Sequence, residues 1–154
     1  MFKFLNKKKN NKGLTLVELV IVIAILALLV GLLAPQYTKY VEKSRKAADA
    51  DNLEEMVKAV QVYEADTDSD AALAQGSYDI TMTTTKTTVP DALKAAMTEY
   101  VPDYETKKLK SKKWGNNGLK ATITVSDDGK ITVAYSPKAL SDYIGVAETK
   151  TTTP

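Results

Sequence analysis

The sequence predicts an α+β fold. One long N-terminal helix, membrane-spanning in its first half and amphipathic in its second, packs against a small antiparallel sheet head. Three observations carry this prediction. Leu14 to Ala34 is a run of twenty-one residues in which only Glu18 can carry a charge. From Gln36 to Ala65, apolar residues recur at three- and four-residue steps with no glycine or proline among them. Farther on, two alternating stretches, Lys120 to Ser126 and Lys130 to Tyr135, flank the turn residues Asp127-Asp128-Gly129.

The first element begins in a basic leader. Met1 to Gly13 holds five of the 21 basic residues and none of the 19 acids, so the remaining chain has a net charge of −3. Five lysines ahead of an apolar run act as a cytoplasmic anchor and place the C-terminal body outside the membrane. The run that follows is roughly 31 Å long as a helix, against about 30 Å for a bilayer core. It is longer than the apolar core of an ordinary secretory signal, and Gly31-Leu32-Leu33-Ala34-Pro35 is a poor cleavage site for one. A carboxylate buried in such a run is unfavourable by about 2.5–3.5 kcal/mol at the centre and by less near an end, where it can also reach the interface.

Lys12-Gly13-Leu14-Thr15-Leu16-Val17-Glu18, followed by a long apolar helix, resembles the signature of the type IV pilin family. It departs from the commonest pattern at Leu14, where phenylalanine is usual. The resemblance is specific for Lys12 to Pro35, fair along the helix to about Ala65 and weak beyond. It implies a class III signal peptide cut by a prepilin peptidase between Gly13 and Leu14, N-methylation of Leu14, and assembly residues Glu18, Gly31 and Pro35. The implied partners are further pilin subunits, the peptidase, the membrane, and an assembly platform with its ATPase. The expected localisation is the cytoplasmic membrane as a single-pass precursor and the cell surface once assembled. The expected domains are a leader 1–13, an assembly helix 14–34, its amphipathic half 35–65, a head 66–148 and a loose tail 149–154.

The remaining elements follow in order. Pro35 lacks the N–H that would bond the carbonyl of Gly31, so a break or weak turn is expected at that point. The implied sharper role is a turn that melts during assembly. The amphipathic stripe is Tyr37, Val41, Ser44, Ala48, Leu53, Met56, Val57, Val60 and Tyr63; the charges between them, Asp49 included, form a solvated face. Asp66-Thr67-Asp68-Ser69-Asp70 lacks the glycine and glutamate that a calcium loop needs at its sixth and twelfth positions, and reads as a solvated turn. Tyr78 to Thr84 is a strand, Thr83 to Thr88 a loop, and Pro90 starts a helix carrying Leu93, Ala96, Met97 and Tyr100. Lys107 to Lys113 is basic solvated surface, with binding of an anionic polymer as the sharper reading, and Trp114 plugs the core. After the hairpin, Ser136-Pro137 opens a short helix carrying Leu140, Tyr143 and Ile144, which Gly145 stops.

The chain has neither cysteine nor histidine, which removes thiol nucleophiles, imidazole bases and disulfides. No convergent acid–base set emerges, so the expected role is structural and not enzymatic. No cofactor, metal or specific nucleic acid is expected. The function implied is a pilin polymerising into a filament for motility, adhesion or surface attachment. The runner-up is a pseudopilin of type II secretion or competence DNA uptake, supported by the likeness of Trp114-Gly115-Asn116 to a segment of major pseudopilins. A non-polymerising, single-pass anchored adhesin is the third reading.

Overall fold

A computed structural model describes residues 13, 15–66, 72–145 and 150–152. Leu14, the leader 1–12 and residues 67–71 lie outside the described residues, as does most of the aspartate-rich turn. The architecture is α+β and pilin-like. Helix α1 (Leu16–Asp66) is followed by β1 (Gly76–Met82), β2 (Thr87–Thr88), a 3₁₀ turn (Asp91–Leu93), α2 (Lys94–Tyr100), a second 3₁₀ turn (Tyr104–Thr106), β3 (Leu119–Val125), β4 (Ile131–Ser136), α3 (Lys138–Ile144) and β5 (Lys150–Thr152). The chain divides into two compact units, 1–41 and 42–154.

The first unit holds the start of α1. The helix runs through Gly31 and past Pro35 without a break, so the interruption expected there is absent. A proline deletes one N–H, and the ladder bonds of the turns on both sides sustain the helix.

In the second unit, five antiparallel strands lie in the order β2-β1-β3-β4-β5. The registers Ile80↔Ala121, Met82↔Leu119 and Ile123↔Val133 place these apolar residues in one layer, all of them buried. Leu53, Met56, Val57 and Val60 of α1 complete the same core, as their spacing predicts. The hairpin turn is as expected: Gly129 takes φ 74°, which suits it to the tight reversal. Gly118, just before β3, is the more constrained glycine. A Cβ there would lie 2.3 Å from the carbonyl oxygen of Met82, so only glycine lets β3 run beside β1.

Four expectations are corrected. Thr87–Thr88, expected as loop, pairs with Thr81 and Met82 as edge strand β2, and the Thr87 hydroxyl bonds the carbonyl of Lys107. The tail, expected to be loose, contributes β5 at Lys150–Thr152 against β4. Edge pairing uses backbone groups and suits β-branched threonine, so it needs no apolar anchor. Tyr37 and Ser44, both placed on the apolar stripe, are exposed.

Asp49, placed on the solvated face, is fully buried. Its carboxylate accepts the backbone N–H groups of Lys110 (2.7 Å) and Ser111 (2.9 Å) and the indole N–H of Trp114 (3.0 Å). Three donors replace the water the carboxylate loses, which is what makes its burial tolerable. Around this clasp the Ser111 hydroxyl bonds Glu42, Lys46 lies 4.6 Å over the Trp114 ring, and Tyr143 meets that ring edge-on at 6.0 Å. Lys107 joins Glu55 at 2.9 Å and Asp103 at 3.7 Å. The basic stretch is therefore half clasp and half surface: Leu109, Ser111 and Trp114 are buried, while Lys108, Lys110, Lys112 and Lys113 are exposed. Trp114 is a core plug, and its buried faces offer no platform for stacking a base.

Candidate processing and assembly site

The N-terminal site is built by the start of α1. Thr15 precedes the first helical residue, and Glu18 sits three residues on. The Glu18 N–H donates to Thr15 Oγ1 at 3.2 Å, and the Thr15 N–H donates to Glu18 Oε2 at 3.1 Å. This is a reciprocal capping box. It satisfies two of the N–H groups that a helix start leaves open, and it suits a carboxylate to the positive end of the helix dipole. The Thr-x-x-Glu spacing was visible in the sequence. Weighing Glu18 by its charge alone passed over it.

The cap also aims the carboxylate. Oε2 is held at the amide nitrogen next to Leu14, the residue that the expected cut would leave with a free amine. Leu14 itself lies outside the described residues. Gly13 is exposed, and a Cβ there would touch nothing within 4 Å.

Downstream, every large apolar side chain from Leu16 to Leu33 is exposed, from 47% at Val22 to 78% at Leu16. The helix has a window of mean hydropathy 3.1, which makes it long and apolar enough to cross a membrane. Gly31 faces open space, with nothing within 4 Å of a built Cβ. Glycine lowers helix stability by about 1 kcal/mol relative to alanine, and no contact inside the chain offsets that. Pro35 is exposed as well, and its carbonyl accepts the Thr38 hydroxyl at 2.9 Å. The structure thus brings Thr15 and Glu18 together, while Gly31 and Pro35 stand a few turns along, engaged with no distant part of the chain.

Among the described residues, no group of histidine, cysteine, aspartate and glutamate is arranged to hold a metal ion. Two titrating groups of the head are shifted by their surroundings. Asp79 is held below the usual carboxylate range by the Thr122 hydroxyl at 2.6 Å, against the effect of burial, with Lys120 adding at 3.1 Å. Burial pushes the Tyr135 hydroxyl up to about 12, and the charge of Glu54 adds to the rise.

No curated protein and no solved structure matches the chain. A family model does match: that of the prokaryotic N-terminal methylation motif, over residues 8–34. It covers the end of the leader, Gly13, the capping box and the apolar run. The chain therefore carries, over residues 8–34, the N-terminal methylation motif that type IV pilins bear.

Proposed function

We propose that this chain is a structural pilin subunit. It is held in the cytoplasmic membrane by α1, cut between Gly13 and Leu14, methylated on the new Leu14 amine, and polymerised into a surface filament. The observation that carries the reading is the methylation motif at 8–34 with a single carboxylate, Glu18, inside its apolar run. Cleavage creates an ammonium at Leu14. In a dry bundle of such helices, the ammonium and Glu18 each need a counter-charge, and low dielectric strengthens their attraction while making an unpaired partner unfavourable. Pairing one subunit's Leu14 amine with another's Glu18 sets the register. The unfilled space at Gly31 supports close approach of a neighbouring helix, and Gly31 and Pro35 together lower the intrinsic stability of a helix that is nonetheless continuous here.

The domains follow this use: a leader 1–13, an assembly helix 14–34, its amphipathic half 35–65, and a head beyond. The partners are other copies of the chain, a prepilin peptidase and an assembly platform driven by an ATPase. A pseudopilin would share every one of these features. The likeness of Trp114-Gly115-Asn116 to a segment of major pseudopilins keeps that reading as the alternative, with Trp114 serving as a core plug in either case.

The test uses two variants at one position. Glu18→Val removes both the charge and the cap; Glu18→Gln keeps the cap and removes the charge. Both should insert and be cut after Gly13, with mass spectrometry finding methylated Leu14 at the N-terminus, and both should fail to build filaments. Wild-type filament yield from the glutamine variant would show that the carboxylate's charge does not register subunits.

A further inference from the structure

The head is electrically polar along α1. Near Glu42 to Asp49, the helix carries Lys43, Arg45 and Lys46, and the clasp brings the loop lysines Lys110, Lys112 and Lys113 to the same end. Of the acids there, Glu42 bonds Ser111 and Asp49 is buried under its three donors. Lys110, Lys112 and Lys113 are exposed and make no ion pair among the described residues. The other end lies eighteen residues farther along the helix, about 27 Å away. Glu64 and Gly129 line one cavity there, so Asp66 at the helix end and the hairpin acids Asp127 and Asp128 lie next to it in sequence.

That cavity has a volume of about 320 Å³. Its walls are mostly apolar, from Ala65, Leu73, Val125 and Ile131, and Glu64 lines it. One oxygen of Glu64 accepts the Leu73 N–H at 2.9 Å. The other, Oε1, is buried and has no hydrogen-bond partner among the described residues. Buried carboxylate oxygens are nearly always paired, and an orphan beside an open cavity calls for a donor from outside. A lysine side chain fits both demands: its methylene stem suits apolar walls and its ammonium suits the carboxylate.

We propose that the heads dock head to tail, a lysine of the 110–113 loop of one copy entering the Glu64 cavity of the next. The acids Asp127 and Asp128 draw in the remaining lysines at the rim. Because the two surfaces lie at opposite ends of the same head, the contact is heterologous. Such a contact leaves a free surface at each end of a pair and so can propagate along a fibre. This deepens the filament reading and rests on it.

The absence of native cysteine makes the test clean. Lys112→Cys and Asp128→Cys are introduced together into the full chain in its native cells, and a short bis-maleimide is added to intact filaments. The double variant should yield a ladder of covalent multimers, and each single variant at most dimers. A second experiment needs no cross-linker. Changing Lys110, Lys112 and Lys113 together to glutamate should lower filament yield at least tenfold. Adding Glu64→Lys, Asp127→Lys and Asp128→Lys should restore it. Normal filaments from the double-cysteine variant without a ladder overturn the docking and leave polymerisation standing, as do normal filaments from the triple-glutamate variant. A wild-type chain that forms no filament overturns both.

Discussion

Two stretches of one helix make opposite use of the same apolar residues. Between Leu16 and Leu33 they lie on every side and all are exposed; between Asp49 and Val60 they form one face, and that face is sealed. A helix that is apolar all round requires an apolar surrounding, whereas a one-sided helix requires only a sheet to lie against. Leu28 is 68% exposed and Leu53 is 0% exposed. The difference teaches that the second stretch stabilises the head while the first contributes little to that stability and leaves its apolar surface open to other partners.

The sharpest way to break this comparison is to make one substitution in both stretches. Leu53→Ala should lower the unfolding free energy of the head by about 4 kcal/mol, within the range for a fully enclosed leucine. Leu28→Ala should leave it within about 0.5 kcal/mol, as at exposed sites. Urea denaturation of the full chain in detergent, followed by Trp114 fluorescence, measures both. Similar losses from the two would mean that the first stretch also stabilises the head.

Next in size is the clasp. Asp49→Ala strands three donors in a dry site and should destabilise the head by about 3 kcal/mol. Asp49→Asn keeps one acceptor oxygen and should fall between wild type and alanine. If both variants match wild type in the same denaturation series, the carboxylate is not what holds the 107–114 loop.

The smallest effect concerns alkaline pH. The Tyr135 hydroxyl is raised from 10.0 to about 12 in the folded chain, so the folded state keeps a proton that the unfolded state gives up. Stability from this group is whole below pH 10, falls as pH rises past 10, and is gone near 12. Tyr135→Phe should flatten that part of a stability–pH curve. An unchanged slope would assign the alkaline loss to other groups.

Much of this was legible in the chain. The uninterrupted run to Ala34, the spacing of Leu53, Met56, Val57 and Val60, and the Asp127-Asp128-Gly129 turn are local patterns, and local patterns survive in a sequence. Asp49 was not legible, because its donors stand 61 to 65 residues away and two of them are backbone groups that no residue letter marks. Strand β2 was hidden for a similar reason: a two-residue edge has no periodicity, and threonines fit a loop equally well. At the N-terminal site, Thr15 and Glu18 were both in view, yet attention to the charge obscured the reciprocal bonds between them.

The Asp49 clasp has a consequence for where this head can mature. A covalent bridge would make folding wait on an oxidant and would leave the product open to reduction. Here the same loop is tied down by bonds that form as the chain collapses and re-form if they open. The folded head should therefore be indifferent to the redox state of its surroundings, closing equally well in an oxygen-free medium and in an aerated one.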